Sequence, residues 1–371
     1  MVQIASIDSL VLDLPPSCVE FWPHDPEYAV VGTYNLEGSN PSEEQTESVS
    51  EKPQSRNGSL ILIHVHGSSV RILQTLSTPF AILDVHFVPS HLGNPYLLGA
   101  ASSTGSLGLY ELRKPDSSAS PSELHPRLEH VRTLQYVSES TLITAFAWYP
   151  TSADVVGITL SSGEVMVCST EGINAQANII SLPSHDLEAW TLAFQLDGKG
   201  LLSGGDDSVL RYCKIFDEDT GSRSTWIDRR IHGAGVTAIL PLERDIFITG
   251  SYDDHIRIIH APLVGRKTVL AEMNLGGGVW RLKALSQPAA ALAENFGPSV
   301  EVVLLVSCMH AGARIVKILK NSEKWRFEVL AKFEEHKSMN YGSDVQPSHH
   351  GESRTFISTS FYDKLICLWR F

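Results

Sequence analysis

Three stretches of the chain align without gaps, and this repetition limits the possible folds more than any other feature of the sequence. The stretches run from Asp206 to Tyr212, from Asp253 to Ile259 and from Asp363 to Trp369. Each begins with Asp, which favours a turn, and continues with residues typical of a β-strand. Such self-similarity is typical of repeat architectures, in which each unit buries its apolar face against the next.

Weaker copies of the same turn and strand occur at Asn57, Thr104, Ser162 and His310. With the three strong copies they give seven anchors, spaced 44 to 58 residues apart. The pattern resembles the WD repeat, whose unit of roughly 40–45 residues forms one blade. Apolar runs between the anchors supply the other strands, and the predicted first strands of blades include residues 82–88, 142–148, 189–195, 235–240 and 278–285. We therefore predict an all-β fold, a single seven-bladed β-propeller of the WD-repeat type spanning residues 1–371.

The two ends of the chain predict how the ring closes. The last repeat reaches Phe371 directly after its third strand, so its blade lacks an outer strand. Residues 7–14 precede the first repeat and have no blade of their own. Pairing residues 7–14 with residues 365–370 removes an exposed sheet edge, and we expect the N-terminal strand to close the propeller in this way.

Two polar insertions interrupt the repeats. Residues 36–57 and 114–127 are rich in Ser and Pro, the first also in Glu and Gln, and neither has a cluster of large apolar residues. Segments of this composition bury too little apolar surface to offset the entropy lost on ordering. We expect both insertions to be disordered loops.

Composition argues against several classes of protein. The net charge of −13 disfavours a nucleic-acid binder, because phosphate groups require clustered Lys and Arg. The five Cys lie far apart in apolar runs without zinc-ligand spacing, which indicates buried thiols in a reducing compartment. Residues 1–14 lack the positive start of a signal peptide, and no apolar stretch is long enough to cross a membrane. We expect a soluble cytoplasmic monomer without a cofactor and without direct contact to nucleic acid or membrane.

The topology brings polar turns of different blades to one rim. In a WD propeller, the turn between the second and third strands of a blade opens on the same face as the connection between blades. Loops on a rigid scaffold are the usual place for functional residues. Here those turns collect His and carboxylate side chains, mainly from the fourth to the seventh repeat: His185, Asp186, Asp206, Asp207, His232, Asp253, Asp254, His255, His310, His336 and Asp363.

Several of these side chains also fit a structural role. His232 has the spacing of a His that hydrogen-bonds within its own blade, and Asp206, Asp253 and Asp363 fit either role. His255 and His310 do not match the structural His position, which favours a functional role for them.

The sequence contains no motif of another common enzyme class. Neither the nucleophile motif G-x-S-x-G nor a phosphate-binding loop occurs. His64 and His66 share one face of a strand, but an isolated H-x-H favours packing or a solvated edge over a metal. An enzyme built on this chain would therefore use the His and Asp residues of the rim, since imidazole activates water near neutral pH.

Several rim segments resemble one WD-repeat family, the diphthine methyl-ester hydrolases of diphthamide biosynthesis. The matching segments are residues 250–256, 277–283, 308–312, 336–338, 341–344 and 360–363. The chain departs from the family at Val345, where the family has Trp. The resemblance implies hydrolysis of the methyl ester of methylated diphthine, a modified histidine on translation elongation factor 2, to diphthine and methanol. The modified histidine also carries a trimethylammonium group.

The rim side chains suggest how they would perform this reaction. Ester hydrolysis needs a base and donors for the developing oxyanion. The candidate catalytic residues are His255, His310, Asp254, Asp363, Arg281 and His336. His255 or His310 would be the base, and Arg281 or the backbone N–H groups of residues 276–278 would hold the oxyanion. Because cations are attracted to aromatic faces, the candidate substrate-binding residues are Trp280, Tyr252, Phe361, Tyr362 and Tyr341, together with Gly277 and Gly278.

Two other functions remain open at this point. A non-catalytic WD-repeat scaffold would present an apolar patch with aromatic and Arg anchors. A metal-dependent hydrolase would use the rim His and Asp residues as ligands. A pocket in which His, Asp and Arg side chains converge would favour the hydrolase over the scaffold.

Overall fold

The computed structural model describes residues 1–37, 55–114, 125–172, 179–215, 225–285, 299–322, 324–347 and 353–371. Within these residues the strands form seven separate sheets, and neighbouring sheets contact one another around the whole ring. Most of these contacts join first strands, and between blades six and seven the second strand of blade six contacts the first strand of blade seven. The predicted seven-bladed β-propeller is confirmed.

Each blade is an antiparallel meander with its first strand innermost. Blade one contains Pro16–Phe21, Tyr28–Thr33, Arg56–His66 and Ser69–Thr78, and blade two Ile82–Phe87, Leu97–Ser102, Ser106–Arg113 and Arg127–Gln135. Blade three contains Ile143–Tyr149, Ser152–Leu160, Val165–Ser169 and Ile179–Leu182, and blade four Ala189–Phe194, Gly200–Gly205, Leu210–Lys214 and Thr225–Asp228. Blade five contains Val236–Pro241, Ile246–Ser251, His255–His260 and Thr268–Asn274, and blade six Arg281–Ala284, Ser299–Ser307, Ala313–Asn321 and Lys324–Phe333. Blade seven contains Ser343–Val345, Thr355–Ser360, Leu365–Arg370 and the N-terminal strand Ser6–Val11.

The N-terminal strand closes the ring as predicted. Ser6–Val11 pairs antiparallel with Leu365–Arg370, so that Val11 lies opposite Leu365. A second short strand, Val2–Ile4, adds in parallel to the outer strand Lys324–Phe333 of blade six. The N-terminus therefore covers the outer edges of two adjacent blades and removes edges that would otherwise be free to pair.

The last Trp of the repeat pattern shows how neighbouring blades pack. Trp369 is 1% exposed, and its ring stacks on Phe356 at 4.3 Å and on Phe333 of blade six at 5.3 Å. Its indole N–H donates to Ser358 Oγ at 3.0 Å, which satisfies the one polar atom of the ring.

Three sequence-based boundaries need correction. The strand predicted at residues 278–285 begins only at Arg281, because the Val279 N–H just before it donates to Ser251 of blade five instead of to its own sheet. The first insertion is ordered at its ends, where Asn35–Leu36 pairs with residues 56 and 57. Arg127 belongs to a strand, whereas residues 38–54 and 115–124 of the predicted loops lie outside the described residues.

Helical structure is nearly absent from the described ranges. It amounts there to one short turn, Ser90–Leu92. No helix of that part of the chain is long and apolar enough to cross a membrane.

Candidate functional site

The turns between the second and third strands and the connections between blades open on one side of the ring. We call this side the upper face, and it includes residues 206–209, 252–254, 308–312 and 361–364. The turns between the first and second strands open on the opposite, lower face. The residues predicted as functional all lie at or near the upper face.

Partly exposed aromatic rings from four consecutive blades surround the upper opening of the ring. Trp280 lies at their centre, with ring centroids 5.7 Å from Trp190, 6.0 Å from Tyr252 and 5.0 Å from Tyr341. Tyr341 in turn contacts Phe361 at 5.4 Å. We call these five residues the aromatic mouth. Aromatic side chains left partly exposed in one cluster are typical of a binding surface.

The backbone holds Trp280 firmly in this position. Its N–H donates to the carbonyl of Ser307 in blade six at 2.8 Å, while the preceding N–H donates to Ser251 in blade five at 3.0 Å. Gly277 and Gly278 are buried beneath it, and a Cβ on Gly277 would lie 2.3 Å from a carbonyl oxygen. Gly277 is therefore needed for close packing. A contact of Gly277 or Gly278 with substrate stays a prediction.

The loop that carries Tyr341 is fixed by a buried amide. Asn340 is 0% exposed and donates to the carbonyls of Gly342 at 2.9 Å and Thr359 at 2.8 Å. The backbone of Met309 in blade six bridges to Asn340. The turn that contains His310 is thus joined directly to the loop of the aromatic mouth.

A charged layer lies on the innermost strands next to the aromatic mouth. Arg281 of blade six reaches to blade two, where its Nη2 lies 3.3 Å from Asp84 Oδ1. Asp84 is also 3.2 Å from His86 Nε2, and His86 Nδ1 is 2.8 Å from Glu20 of blade one. Lys283 forms a second ion pair with the buried Asp344 of blade seven. The layer is built from alternate positions of inner strands, which face the same side of the sheet.

These contacts set the charge states in the layer. Burial opposes ionisation of Asp84, but Arg281 and His86 hold the pKa of its carboxyl below the usual value. Burial likewise disfavours an imidazolium at His86, yet the carboxylates of Asp84 and Glu20 raise its pKa to about 10. Because the His86 side chain remains 40% accessible, water moderates this shift. His86 is therefore a cation at neutral pH and does not serve as a general base.

Arg281 joins the charged layer to the aromatic mouth. Its guanidinium carbon lies 5.5 Å from the centroid of the Trp280 ring, and its side chain is 25% exposed. The planar guanidinium presents five N–H donors, and the carboxylate of Asp84 contacts it through Nη2, so other N–H donors of the group face away from Asp84. Arg281 can therefore donate to an oxygen atom of a molecule bound among the aromatic rings.

Comparison with known proteins gives relatives that match nearly the whole chain. The Schizosaccharomyces pombe protein named diphthine methyltransferase is 27% identical over 345 residues, covering 92% of this chain and 90% of the relative. The Saccharomyces cerevisiae protein of the same name is 27% identical over 419 residues, covering 98% and 97%. The Mus musculus protein of that name is 29% identical over 349 residues, covering 90% and 67%. The chain is a homologue of these diphthine methyltransferases. The resemblance inferred from the rim segments is thereby confirmed.

Solved structures with the same fold are more distant in sequence. A chain of the mitotic checkpoint complex superposes with a TM-score of 0.65 at 14% identity, covering 100% of this chain and 93% of that one. Chaetomium thermophilum Sqt1, bound to the N-terminus of the ribosomal protein L10, superposes with a TM-score of 0.63 at 14% identity and 100% coverage of both chains. At this identity the likeness shows the fold alone. No family model matches the chain.

The structure brings the aromatic mouth and Arg281 together. Trp280, Tyr252, Tyr341 and Phe361 were all predicted as substrate-binding residues. Tyr362 contacts Phe361 at 5.1 Å but is 70% exposed, so it lies at the outer margin of the mouth.

The predicted His and Asp residues do not form the expected pairs within the described residues. His255 Nδ1 lies 2.6 Å from the backbone oxygen of Asp253, not beside Asp254. Asp254 has a φ of 65° and shapes the turn. Its carbonyl accepts a hydrogen bond from the backbone N–H at the start of the connection to blade six. His310 is exposed on its turn. The expected orientation of His255 or His310 by Asp254 therefore needs correction.

Asp363 and His336 occupy structural positions in blade seven. Asp363 accepts hydrogen bonds from Ser338 Oγ at 2.7 Å and from Ser360 Oγ, which ties two turns together. His336 is 7% exposed, and its Nε2 lies 2.7 Å from Ser358 Oγ. Burial and this bond place His336 inside the blade and away from the aromatic mouth. This position fits a structural role for His336 and not the predicted catalytic one.

Acid should destabilise the propeller through two such buried imidazoles. Burial lowers the pKa of His336 to about 4, and burial together with Arg257 lowers the pKa of His232 to about 4. In the unfolded chain both imidazoles take up a proton as the pH falls through about 6.5, whereas in the folded chain they remain neutral down to about pH 4. Their contribution to the free energy of unfolding is therefore complete above pH 6.5 and is lost progressively below it. For each ring, the free energy of unfolding should fall by about 1.4 kcal/mol for each pH unit.

The variant His336→Gln tests this assignment by urea unfolding at a series of pH values. It should be less stable than the parent near neutral pH by about 1–3 kcal/mol, since Ser358 loses one of its two partners and keeps only the Trp369 indole. It should also show a smaller fall in stability between about pH 6.5 and pH 5. An unchanged dependence on pH would contradict a buried neutral imidazole.

Sequence reasoning missed several residues of the site. Trp190 was absent from the predicted set, as were Asp84, His86 and Lys283 of the charged layer. A signal for the layer exists: Asp84 and His86 are polar residues two apart in an otherwise apolar strand, Ile82–Phe87, and Arg281 and Lys283 repeat the pattern. No comparable signal marks Trp190, because a Trp in an inner strand fits core packing equally well.

Proposed function

We propose that the chain hydrolyses the methyl ester of methylated diphthine on translation elongation factor 2, giving diphthine and methanol. The relatives carry the name diphthine methyltransferase, which supports a role in modifying diphthine. The observation that supports the site most strongly is Arg281, which extends from the aromatic mouth to the charged layer. We expect this activity in the cytoplasm, where protein synthesis takes place.

The aromatic mouth suits the trimethylammonium group of this substrate. A quaternary cation gains about 0.5–2 kcal/mol from each aromatic face that it contacts. The Trp280 ring lies between two others, 6.0 Å from Tyr252 and 5.0 Å from Tyr341, centroid to centroid. Asp206 adds negative charge at the margin, where its carboxylate accepts from the Trp190 indole at 3.3 Å. The cation would therefore bind between the rings, on the side of blades four and five.

The ester group would then lie toward Arg281. Water attacks the ester carbonyl, the carbonyl π electrons move onto oxygen, and the tetrahedral intermediate expels methoxide, which leaves as methanol after protonation. Arg281 donates to the developing oxyanion, a role that fixed charged donors perform best in a site that excludes bulk water. Its ion pair with Asp84 fixes the guanidinium before the substrate arrives.

The base in this proposal is one of the two predicted imidazoles. His255 contacts the backbone oxygen of Asp253 through Nδ1 at 2.6 Å, and a proton held there leaves Nε2 as the acceptor. His310 stands on the turn that bridges to the aromatic mouth through Met309 and Asn340. Either ring offers an imidazole nitrogen that can accept a proton from the attacking water.

Incubation with methyl-esterified elongation factor 2 tests the proposal. The purified chain should lower the mass of the modified histidine by one CH₂ group, as read by mass spectrometry of the tryptic peptide. A scaffold would leave the mass unchanged, even where it binds the factor.

Changing Trp280 should mainly weaken substrate binding. Trp280→Ala removes one cation contact, which should lower kcat/KM by about 2- to 30-fold, chiefly through KM. Trp280→Phe keeps an aromatic face and should recover most of the loss. Steady-state kinetics on the esterified factor measures both variants, with circular dichroism to confirm folding. Equal losses in Trp280→Ala and Trp280→Phe would contradict a cation contact.

A further inference from the structure

We propose that Glu27, His64 and His66 bind one divalent transition-metal ion, such as Zn²⁺, on the lower face of blade one. Glu27 belongs to the turn between Pro16–Phe21 and Tyr28–Thr33, and the two His end the strand Arg56–His66. Each offers one ligand atom, and these three atoms lie within 4.8 Å of one another. The proposal is independent of the hydrolysis proposed above, because the aromatic mouth lies on the upper face.

The donor atoms already surround a common point. His64 and His66 are two residues apart on one strand, so their rings lie on the same side, with centroids 5.8 Å apart and planes at 13°. The carboxylate of Glu27 lies between them, with Oε2 3.3 Å from His64 Nε2 and Oε1 2.7 Å from His66 Nδ1. Two imidazoles and one carboxylate are a ligand set that Zn²⁺ and similar ions prefer, with one position left for water.

The site combines a fixed ligand with an open path from solvent. His64 is 8% exposed, and its ring packs against Tyr28 at 5.2 Å, which holds its orientation. The His66 side chain is 74% exposed and that of Glu27 is 44% exposed, so an ion reaches the three atoms without movement of the backbone.

Arg71 competes with the ion in the free protein. Its Nε donates to His64 Nδ1 at 3.3 Å, which leaves the ring proton of a neutral His64 on Nε2, facing Glu27. A metal on Nε2 shifts that proton to Nδ1, where it would oppose the Arg71 donor. Arg71 is exposed, and its Nη2 also lies 2.7 Å from His125 Nε2. Once it gives up these two contacts its side chain can turn into solvent, and its positive charge then no longer opposes the ion.

Titration of the metal-free full chain with Co²⁺ tests this site, because visible absorption reports the coordination of Co²⁺ directly. We expect one saturating band per chain, lost when Zn²⁺ is added. His66→Ala and Glu27→Gln change exposed side chains and should keep the fold, yet lower Co²⁺ affinity at least about tenfold. Arg71→Met should raise the affinity about fourfold.

The matched control is His91→Ala, which removes a surface imidazole from blade two. Its Co²⁺ affinity should equal that of the parent. The proposal is overturned if no saturable band appears, or if His66→Ala and Glu27→Gln bind Co²⁺ as tightly as the parent does. An affinity of Arg71→Met at or below that of the parent would contradict the competition assigned to Arg71.

Discussion

Arg281→Ala should lower kcat for ester hydrolysis by about 10²–10³, with a smaller effect on KM. The guanidinium would meet the oxygen atom only as that atom gains negative charge, so its loss raises the transition state more than the bound ground state. Single-turnover measurements on the esterified factor separate the chemical step from binding. Arg229→Ala, which removes an exposed Arg paired with Asp186 at 3.2 Å, is the matched control and should retain the parental rate.

The loss of Arg281 also removes one of the two cationic partners of Asp84 and leaves His86 as the other. Asp84 is 3% exposed, so the weaker compensation of its charge should destabilise the fold. The double variant Arg281→Ala, Asp84→Asn removes that charge and should recover stability without recovering kcat. Recovery of both would show that Arg281 is structural, and a parental rate in Arg281→Ala would exclude it as the oxyanion donor.

Loss of the general base should produce the second large effect. Of His255→Ala and His310→Ala, the variant that lacks the base should lose about 10²–10⁴ in kcat, and the other should remain close to the parent. The base variant should also lose the fall in rate that the parent shows on acidification, because that fall reports protonation of the ring. The profile of rate against pH for both variants measures this. Parental rates in both would place the base elsewhere in the site.

The repeat was readable from sequence because it is a local pattern. Turn residues such as Asp206, Asp253 and Asp363 recur ahead of apolar strands, and the unpaired strands at the two ends leave one way to close the ring. The start of the blade-six inner strand was misjudged because Val279 and Trp280 are as apolar as a strand. Their N–H groups instead bond to blades five and six, a long-range outcome that strand periodicity does not encode.

Most of the aromatic part of the site was also predictable, since every ring of the mouth except Trp190 comes from a turn or connection on the upper face. The charged layer was not, because its contacts join residues far apart in the chain: Asp84 and Arg281 come from blades two and six. The expected His and Asp pairs failed for a related reason. Adjacent residues such as Asp254 and His255 sit in a tight turn that directs the His255 ring toward the backbone of Asp253.

Hydrolysis in water labelled with the heavy isotope of oxygen tests the proposed ester hydrolysis most directly, because it distinguishes ester hydrolysis from methyl transfer. If water attacks the carbonyl, the carboxylate of the modified histidine gains one heavy oxygen atom, and the released methanol carries none. Mass spectrometry of the peptide and of the methanol reads both products. We expect heavy oxygen in the carboxylate and none in the methanol, and we expect Arg281→Ala to slow the appearance of the labelled carboxylate. An unchanged ester, heavy oxygen in the methanol, or a gain of one CH₂ group in the presence of a methyl donor would contradict it.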